Sequence, residues 1–250
     1  NEFELKKWCT FSLASDWALH QMQSNLDDFA YPTRHAKLVA VATELSWKPV
    51  TISGNLLGSF INEKVKQGKA ADDKQELTPA INLSWKPSEA IALNFRSFYK
   101  RIFRMPTFND LYYTIVGSAT LKPEYLNQYN IGAQYNKYFS PIKLDFNVQA
   151  DDYIKKVQDK IIAIPANNLF RWSMINLGAV EIKGLDVHAS YFLTLKEKIV
   201  LNGTLNYSYQ EAVNKTTGQR SYGNLIPYAP RHSGSATLQV FYRNWGVNYS

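Results

Sequence analysis

The chain has 250 residues and a formal net charge of +7, and its hydrophobic share of 45% with a mean hydropathy of −0.32 excludes both a disordered chain and a bundle of membrane-spanning helices. No apolar run approaches the roughly 18 residues that a spanning helix needs. The Lys and Arg residues are scattered, and no basic block alternates with stacking aromatics, so nucleic acid is not an expected partner. Aromatic residues make up 14% of the chain, which suits the aromatic belts of a membrane interface.

Segments that alternate apolar and polar residues recur along nearly the whole chain, and this period of two predicts strands with one apolar and one polar face. Residues 142–150 read I-K-L-D-F-N-V-Q-A, with every even position apolar. The predicted strands are Trp8–His20, Ala36–Trp47, Val50–Asn62, Leu77–Trp85, Ala90–Arg101, Tyr125–Tyr138, Ile142–Ile154, Ala179–Leu193, Ile199–Gln210 and Arg231–Tyr242.

The connections between these strands alternate strictly between short and long. Short turns are predicted at 48–49, 86–89, 139–141, 194–198 and 243–244. Long connections are predicted at 21–35, 63–76, 102–124, 155–178 and 211–230. In an up-and-down antiparallel sheet this alternation places every long loop at the same end. Such an array is typical of a transmembrane outer-membrane β-barrel, with long extracellular loops and short periplasmic turns.

A short internal repeat supports this prediction. The sequence L-S-W-K-P occurs at 45–49 and again at 83–87, each time where a strand runs into a short turn. Trp at the level of the lipid headgroups, followed by Lys and a turn-forming Pro, suits a hairpin that leaves a bilayer. The alternative is a soluble β-protein with Trp in its core, although the predicted strands exceed the five or six residues usual in soluble sheets.

The alternation also predicts which side chains share a face. In the strand Ala179–Leu193, the residues Asp186, His188 and Ser190 fall on the polar face, which would look into a barrel lumen. These are the residue types of a hydrolytic triad, but same-face neighbours stand nearly 7 Å apart along a strand, so no catalytic residue is predicted. The four His show no metal-ligand spacing and the single cysteine, Cys9, lies in an apolar register, so neither a metal site nor a cofactor is predicted.

Three ordered motifs resemble the signature of the TonB-dependent outer-membrane receptors. Residues 103–113, F-R-M-P-T-F-N-D-L-Y-Y, followed by L-K-P-E at 121–124, are similar to that family's R-x-P-x-x-x-[DE]-L-Y loop and the L-K-P-E that precedes a barrel strand. Residues 176–186, N-L-G-A-V-E-I-K-G-L-D, and 226–232, I-P-Y-A-P-R-H, are similar to two further family motifs in the same order. The motifs span about half of the chain, and the residues before Arg96 match only in pattern.

The resemblance implies a barrel of about 22 strands with a plug domain inside it and a TonB-contacting segment ahead of the plug. Residues 1–250 would then be part of a single barrel domain with about ten of those strands, and we expect the plug, the TonB-contacting segment and the final strands to lie outside the chain. Six motif residues are interpreted as loop architecture: Arg104, Pro106, Asp110, Lys122, Glu124 and Gly184. Arg104 and Asp110 are expected to form a charge pair, and Gly184 to mark a bulge or bend.

Candidate ligand contacts follow from position in the long loops, because aromatic and guanidinium groups suit a large planar or anionic chelate. They are Tyr112, Tyr113, Arg171, Trp172, Arg220 and Tyr222. Haem receptors of the family usually carry an Asn-Pro-x-Leu box and a His after the R-x-P motif, whereas residues 117–121 here read G-S-A-T-L. Ferric siderophores and cobalamin therefore rank ahead of haem and oligosaccharides, because the context of Tyr112 and Tyr113 looks most like those two branches.

The sequence thus predicts a non-enzymatic transporter of the outer membrane that imports a bulky, scarce nutrient. Its expected partners are outer-membrane lipid and lipopolysaccharide, a TonB complex, and a metal-chelate or cobalamin ligand. A passive porin or structural barrel remains the main alternative, since it would share every pattern except the three motifs. An outer-membrane hydrolase is the third.

Overall fold

The computed structural model describes residues 2–88, 90–113, 116–165, 172–195 and 198–250. The strands are β1 (Glu2–Lys6), β2 (Cys9–Gln21), β3 (Thr33–Trp47), β4 (Val50–Lys64), β5 (Lys74–Trp85), β6 (Leu93–Arg104), β7 (Glu124–Phe139), β8 (Leu144–Gln158), β9 (Ile161–Pro165), β10 (Trp172–Asn176), β11 (Val180–Leu195), β12 (Ile199–Asn214), β13 (His232–Tyr242) and β14 (Trp245–Tyr249). One short helix, α1 (Phe108–Tyr112), lies between β6 and β7. None of the helices in the described ranges has the length and apolarity to cross a membrane.

Twelve strands form one sheet in which each strand pairs with its sequence neighbours, except that β8 pairs with β11. The intervening β9 and β10 form a separate two-stranded sheet inside that connection. Every recorded pairing of strands is antiparallel, for example along the sixteen residue pairs between β11 and β12. The predicted all-β, up-and-down antiparallel architecture is confirmed, and the ten predicted strands all form.

Several strands run further than predicted, mostly towards the long connections, although β7 and β11 also gain one and two residues at the short-turn end. β4, for example, continues to Lys64, and β12 continues to Asn214. Polar residues at these ends break the alternation in the sequence, but the neighbouring strand still supplies hydrogen-bond partners for the backbone. We call the end of the sheet with the long connections the loop end, and the opposite end the turn end.

The two faces of the sheet separate as predicted. Leu185, Val187, Leu205 and Tyr207 share the apolar face, where Leu185, Leu205 and Tyr207 are exposed. On the opposite, polar face, neighbouring strands are joined by side-chain hydrogen bonds. They link Asn202 to Gln239 at 3.1 Å, Thr204 to Thr237 at 2.7 Å and Asn206 to Ser235 at 3.1 Å. An exposed apolar face opposite a hydrogen-bonded polar face is the reverse of a soluble sheet packed on a core.

Aromatic side chains border the apolar face at both ends. At the turn end, Trp47 of the first L-S-W-K-P repeat stacks on Trp8, and Trp85 of the second stacks on Phe95, each at 5.4 Å between ring centroids. Towards the loop end, Tyr99 pairs with Tyr129 at 5.1 Å and Tyr209 pairs with His232 at 5.1 Å. Two aromatic belts that bracket an apolar band are the surface pattern of a strand-built membrane wall.

Gly184 does not mark a bulge, contrary to the sequence prediction. β11 keeps unbroken register with both β8 and β12 through this position. The glycine is required because the ring of Tyr153 crosses it from β8, and an added Cβ would meet the Tyr153 hydroxyl and lie 2.5 Å from the carbonyl oxygen of Tyr209. Gly184 therefore provides room for a cross-strand aromatic contact.

Substitution of Gly184 by Ala should lower the stability of the folded wall by about 1 to 3 kcal/mol, because the new methyl group overlaps the Tyr209 backbone. Gly54→Ala is the matched control, since the nearest atom to its added Cβ is 3.9 Å away. The denaturant midpoint of the full-length receptor in detergent measures the difference. Equal midpoints for the two variants would contradict the assigned role of Gly184.

Candidate functional site

Helix α1 begins with a capping box at the loop end of the sheet. The backbone N–H of Asp110 donates to the Thr107 hydroxyl at 3.2 Å, and the Asp110 carboxylate accepts from the backbone N–H of Thr107 at 2.8 Å. The charge pair between Asp110 and Arg104 that the sequence predicted therefore does not form. Arg104 instead donates to Glu124 at 3.1 Å, the residue directly opposite it on β7, and Glu124 also accepts from the backbone N–H of Ile161 at 3.1 Å.

A buried polar network fixes α1 on the sheet. Arg34 and Glu63 are direct cross-strand partners on β3 and β4, and their side chains form an ion pair at 2.5 Å. The same Arg34 donates to the carbonyl oxygen of Pro106 at 2.8 Å, so this loop is anchored through the backbone of Pro106. The Tyr112 hydroxyl donates to the second carboxylate oxygen of Glu63 and accepts from the backbone N–H of Ala71 at 2.9 Å.

The environment of this network changes two acid–base equilibria. Burial and the adjacent Glu63 carboxylate raise the pKa of the Tyr112 hydroxyl well above 10. Hydrogen bonds from the Asn62 amide and the Glu63 backbone N–H lower the pKa of Asp73, just before β5. Tyr112 thus remains a neutral donor and Asp73 an ionised acceptor, which are the charge states that their hydrogen bonds require.

Apolar packing joins four long connections into one body, which we call the loop cap. Its buried members are Ala71, Leu111, Tyr112, Leu121 and Ile161, with Ala30, Val65, Phe108, Ala119 and Met174 packed against them. Backbone hydrogen bonds between connections support the packing, from Lys66 to Ala30 at 2.9 Å and from Met174 to Val116 at 3.1 Å. The β9–β10 hairpin is part of this body.

Asn176 is an anchor that the sequence analysis did not single out as a functional residue. Its side-chain amide bonds the backbone N–H of Lys122 at 2.9 Å and the carbonyl oxygens of Lys122 and Asp159 at 3.0 and 2.8 Å. Lys122 is therefore held through its backbone. The sequence feature that could have identified this anchor is the Asn at the start of the second motif. A side-chain amide both donates and accepts hydrogen bonds, which suits a junction of chain segments.

The β12–β13 connection is organised separately around the buried side chain of Asn214. The Asn214 amide donates to Gln219 at 3.0 Å and Ser221 at 2.9 Å, and its oxygen accepts from the backbone N–H of Thr216 at 2.8 Å. These bonds shape a loop in which the ammonium group of Lys215 lies 5.6 Å from the centre of the Tyr222 ring. No acidic residue occurs between 212 and 230, so this loop presents a positive aromatic surface.

The predicted ligand residues fall into distinct environments. Tyr112 is only 7% exposed, with both hydrogen bonds made inside the loop cap, and it is not a surface residue. Tyr113 is 40% exposed, Trp172 44% and Tyr222 53%, and Arg220 is also exposed. Tyr113 and Trp172 belong to connections joined in the loop cap, whereas Arg220 and Tyr222 lie on the β12–β13 connection. Arg171 lies outside the described residues.

On the polar face of the described strands, Asp186 and His188 bind partners on β12 and not each other. Asp186 accepts from Ser208, while His188 bonds Asn206 at 2.7 Å, so each binds a partner on β12. Arg96 reaches across β7 to both oxygens of Asp151 at 3.0 and 2.8 Å, above Gly132, where an added Cβ would lie 2.8 Å from the Asp151 carboxyl carbon. Among the described residues no group of three or more potential ligands is placed to hold a metal ion.

These features define the wall of a membrane β-barrel with ordered loops at one end. A model of the family described as TonB dependent receptor-like, beta-barrel, matches residues 23–250, and the chain belongs to this family. Its members are outer-membrane proteins of a transporter type, and the outer membrane is the location of this chain. The sequence prediction of the family and of the location is confirmed.

Individual relatives agree with the family assignment. The vitamin B12 transporter BtuB of Vibrio vulnificus is 28% identical over 89 residues, which cover 36% of this chain and 14% of the relative. The FrpB iron transporter from Neisseria meningitidis has the same fold, with a TM-score of 0.69 at 15% identity over 99% of this chain and 40% of that structure. The copper transporter OprC gives a TM-score of 0.70 at 15% identity over 96% and 39%. The chain thus spans less than half of these proteins.

Replacement of Tyr112 by Phe should leave the number of tyrosines that ionise near pH 10 unchanged. The reason is that the folded wild-type protein holds the Tyr112 hydroxyl protonated at that pH. Since the folded pKa is raised, the stabilisation from the neutral hydroxyl is complete below about pH 10 and is lost as the pH rises further. Tyrosinate absorbance of the wild-type and Tyr112→Phe receptors measures this. Loss of one tyrosine's absorbance change near pH 10 in the variant would show that Tyr112 is not buried as described.

Proposed function

We propose that the chain forms part of the wall and several ligand-capturing loops of an active transporter that imports a bulky, scarce nutrient, a ferric siderophore or cobalamin. The observation that carries this proposal is the match of the receptor barrel family to residues 23–250. The ordered loop end supports it, because a binding surface needs loops held in a fixed arrangement. The chain contributes binding and a passage, with no catalysis of its own.

In the whole protein, we propose that residues 1–250 belong to one barrel domain that surrounds a plug, and that a segment ahead of the plug contacts TonB. The hydrogen-bonded polar face described above would then line the lumen. Ligand captured by the loops and the plug is released inward when TonB, driven by the inner-membrane proton gradient, pulls on the plug.

Ligand contacts are assigned to the exposed members of the predicted set, Tyr113, Trp172, Arg220 and Tyr222, together with Arg171. Aromatic surfaces and guanidinium groups suit a planar or anionic chelate. Tyr112 takes a supporting role, because its hydroxyl is engaged by Glu63 and Ala71. The loop architecture residues Pro106, Asp110 and Glu124 act on the ligand only through the shape of the loops.

The names of similar proteins are consistent with either cargo. A vitamin B12 transporter matches by sequence over 36% of this chain, and an iron transporter matches by fold over 99% of it. A copper transporter and a hemophore receptor are also similar in fold, and the hemophore receptor is described in complex with its hemophore and heme. We place ferric siderophores and cobalamin first, because residues 117–121 lack the haem-receptor motif.

Deletion of the complete gene in the source organism should abolish growth on one limiting nutrient and leave growth on the other unchanged. Limiting cobalamin and limiting iron, supplied as defined chelates, are the two conditions, because scarcity makes active import necessary. A defect confined to cobalamin identifies a vitamin receptor, and a defect confined to one iron chelate identifies a receptor for that chelate. Normal growth in every condition would contradict the proposal and favour a passive porin.

We also propose that the apolar face contacts outer-membrane lipid and that its loop-end border binds the phosphate groups of lipopolysaccharide. Lys156 and Lys183 lie on this face above the aromatic belt, and both are exposed. Lys183 contacts Glu181 at 3.3 Å with its side chain 62% exposed, so its charge stays available to an anionic headgroup. Lys155 points to the opposite face, where its ammonium group lies 4.1 Å from the Tyr153 ring centre.

The double variant Lys156→Gln, Lys183→Gln should retain lipopolysaccharide roughly thirtyfold more weakly than wild type, because each of the two surface cations contributes about 1 kcal/mol near an anionic membrane. Lys155→Gln removes one positive charge from the neighbouring residue on the polar face and serves as the control. Mass spectrometry of the purified full-length receptors measures the bound lipopolysaccharide. Equal amounts in the double variant and the control would contradict this assignment.

A further inference from the structure

We propose that Glu63 is a positioning residue for ligand capture, which acts by holding the 105–123 connection in its ligand-facing shape. This inference rests on the proposed function and deepens it, because it concerns the same loop end. Glu63 is the last residue but one of β4, at the loop end of the sheet, and its side chain has no exposed surface. Its carboxylate bonds Arg34 and Tyr112, and neither of these is assigned to the ligand.

The position of Glu63 in the network supports this role. One carboxylate oxygen binds Arg34 on β3 and the other accepts from Tyr112 at the end of α1. The Glu63 backbone N–H donates to Asp73 at 2.9 Å, at the end of the β4–β5 connection. A single residue thus joins two strands of the wall, the helix and a second long connection.

The connection is clamped from both sides of α1. Ahead of the helix, Arg34 donates to the carbonyl of Pro106 and its guanidinium lies 4.8 Å from the ring centre of Phe108. At the end of the helix, the Tyr112 hydroxyl reaches Glu63 and Ala71. Arg34 keeps its orientation only while Glu63 balances its charge, because an unpaired buried cation is strongly unfavourable.

The consequence for the ligand follows from chain geometry. Tyr112 is held inward, and the next residue, Tyr113, is 40% exposed, with its backbone N–H bonded to the Asn109 carbonyl at 3.4 Å. Fixing Tyr112 therefore fixes the direction in which Tyr113 projects. Binding to an ordered loop costs less conformational entropy than binding to a disordered one, so the network should act on affinity.

Hydrogen–deuterium exchange of the full-length receptor tests the positioning directly. Glu63→Leu should speed exchange over residues 105–113 and 116–121 by about a hundredfold, because it leaves Arg34 unpaired and Tyr112 without an acceptor. Glu63→Gln keeps the size of the side chain but offers one acceptor oxygen and no charge, so its exchange should lie between that of wild type and that of Glu63→Leu. The matched control is Glu76→Leu, which removes another Tyr–Glu hydrogen bond, from Tyr125 at 2.6 Å, outside this network. Unchanged exchange in Glu63→Leu would overturn the inference.

Uptake by cells provides the second readout, with cyanocobalamin and a ferric catecholate chelate as the two probes. For the probe that wild type takes up, Glu63→Leu should raise the KM by about tenfold and leave the maximal rate within about twofold, at equal receptor levels in the outer membrane. Maximal rate lost with an unchanged KM would overturn the inference. If wild type takes up neither probe, the proposed cargo is wrong, and the exchange measurement still decides the role of Glu63.

Discussion

The structure depends on the requirement that every backbone polar group of a membrane wall be paired within the protein, because lipid offers no hydrogen-bond partner. The antiparallel ladder of the twelve-stranded sheet meets this requirement between neighbouring described strands, whose side chains then alternate between the apolar and the polar face, and β1 and β14 form its two edges. Irregular backbone is confined to the two ends of the sheet. The functional surface is therefore restricted to the ends by the same constraint that shapes the wall.

The connections at the two ends of the sheet are stabilised by different interactions. At the turn end, the connections are short, and stacked aromatic rings pack beside them, as in the pairs Trp8–Trp47 and Trp85–Phe95. At the loop end, long connections must lose much conformational entropy to become ordered. Apolar packing in the loop cap supplies part of the compensation, and the buried Arg34–Glu63 pair selects one arrangement among the many that apolar contacts alone would allow.

Prediction from the sequence succeeded where the physical signal is periodic. The alternation in residues 142–150 fixes both the strand and its faces, since a one-residue slip would move every side chain to the other face. The β9–β10 hairpin carries no such signal, because each of its five-residue strands is stabilised by the other and by the loop cap. Helix α1 also has only five residues, and its capping box specifies where it begins but not that it forms.

Charge complementarity alone also fell short, because it led to the prediction of an Arg104–Asp110 pair. Strand register decided the matter, since Arg104 and Glu124 face each other directly on β6 and β7. Similarly, Tyr112 and Tyr113 are equivalent in the sequence, and only the helix shows which one is buried. Neither distinction can be made before the three-dimensional pairing is known.

The placement of the motif residues explains what the family resemblance can and cannot specify. Pro106, Asp110, Glu124 and Gly184 are all engaged in backbone contacts, capping or close packing, so they identify the scaffold. Most of the exposed aromatic and basic side chains assigned to the ligand lie at other positions, including a β12–β13 loop with no acidic residue between 212 and 230, and Tyr113 is the one that lies within a motif. Because recognition requires surface groups, the scaffold residues of the motifs do not themselves select a cargo.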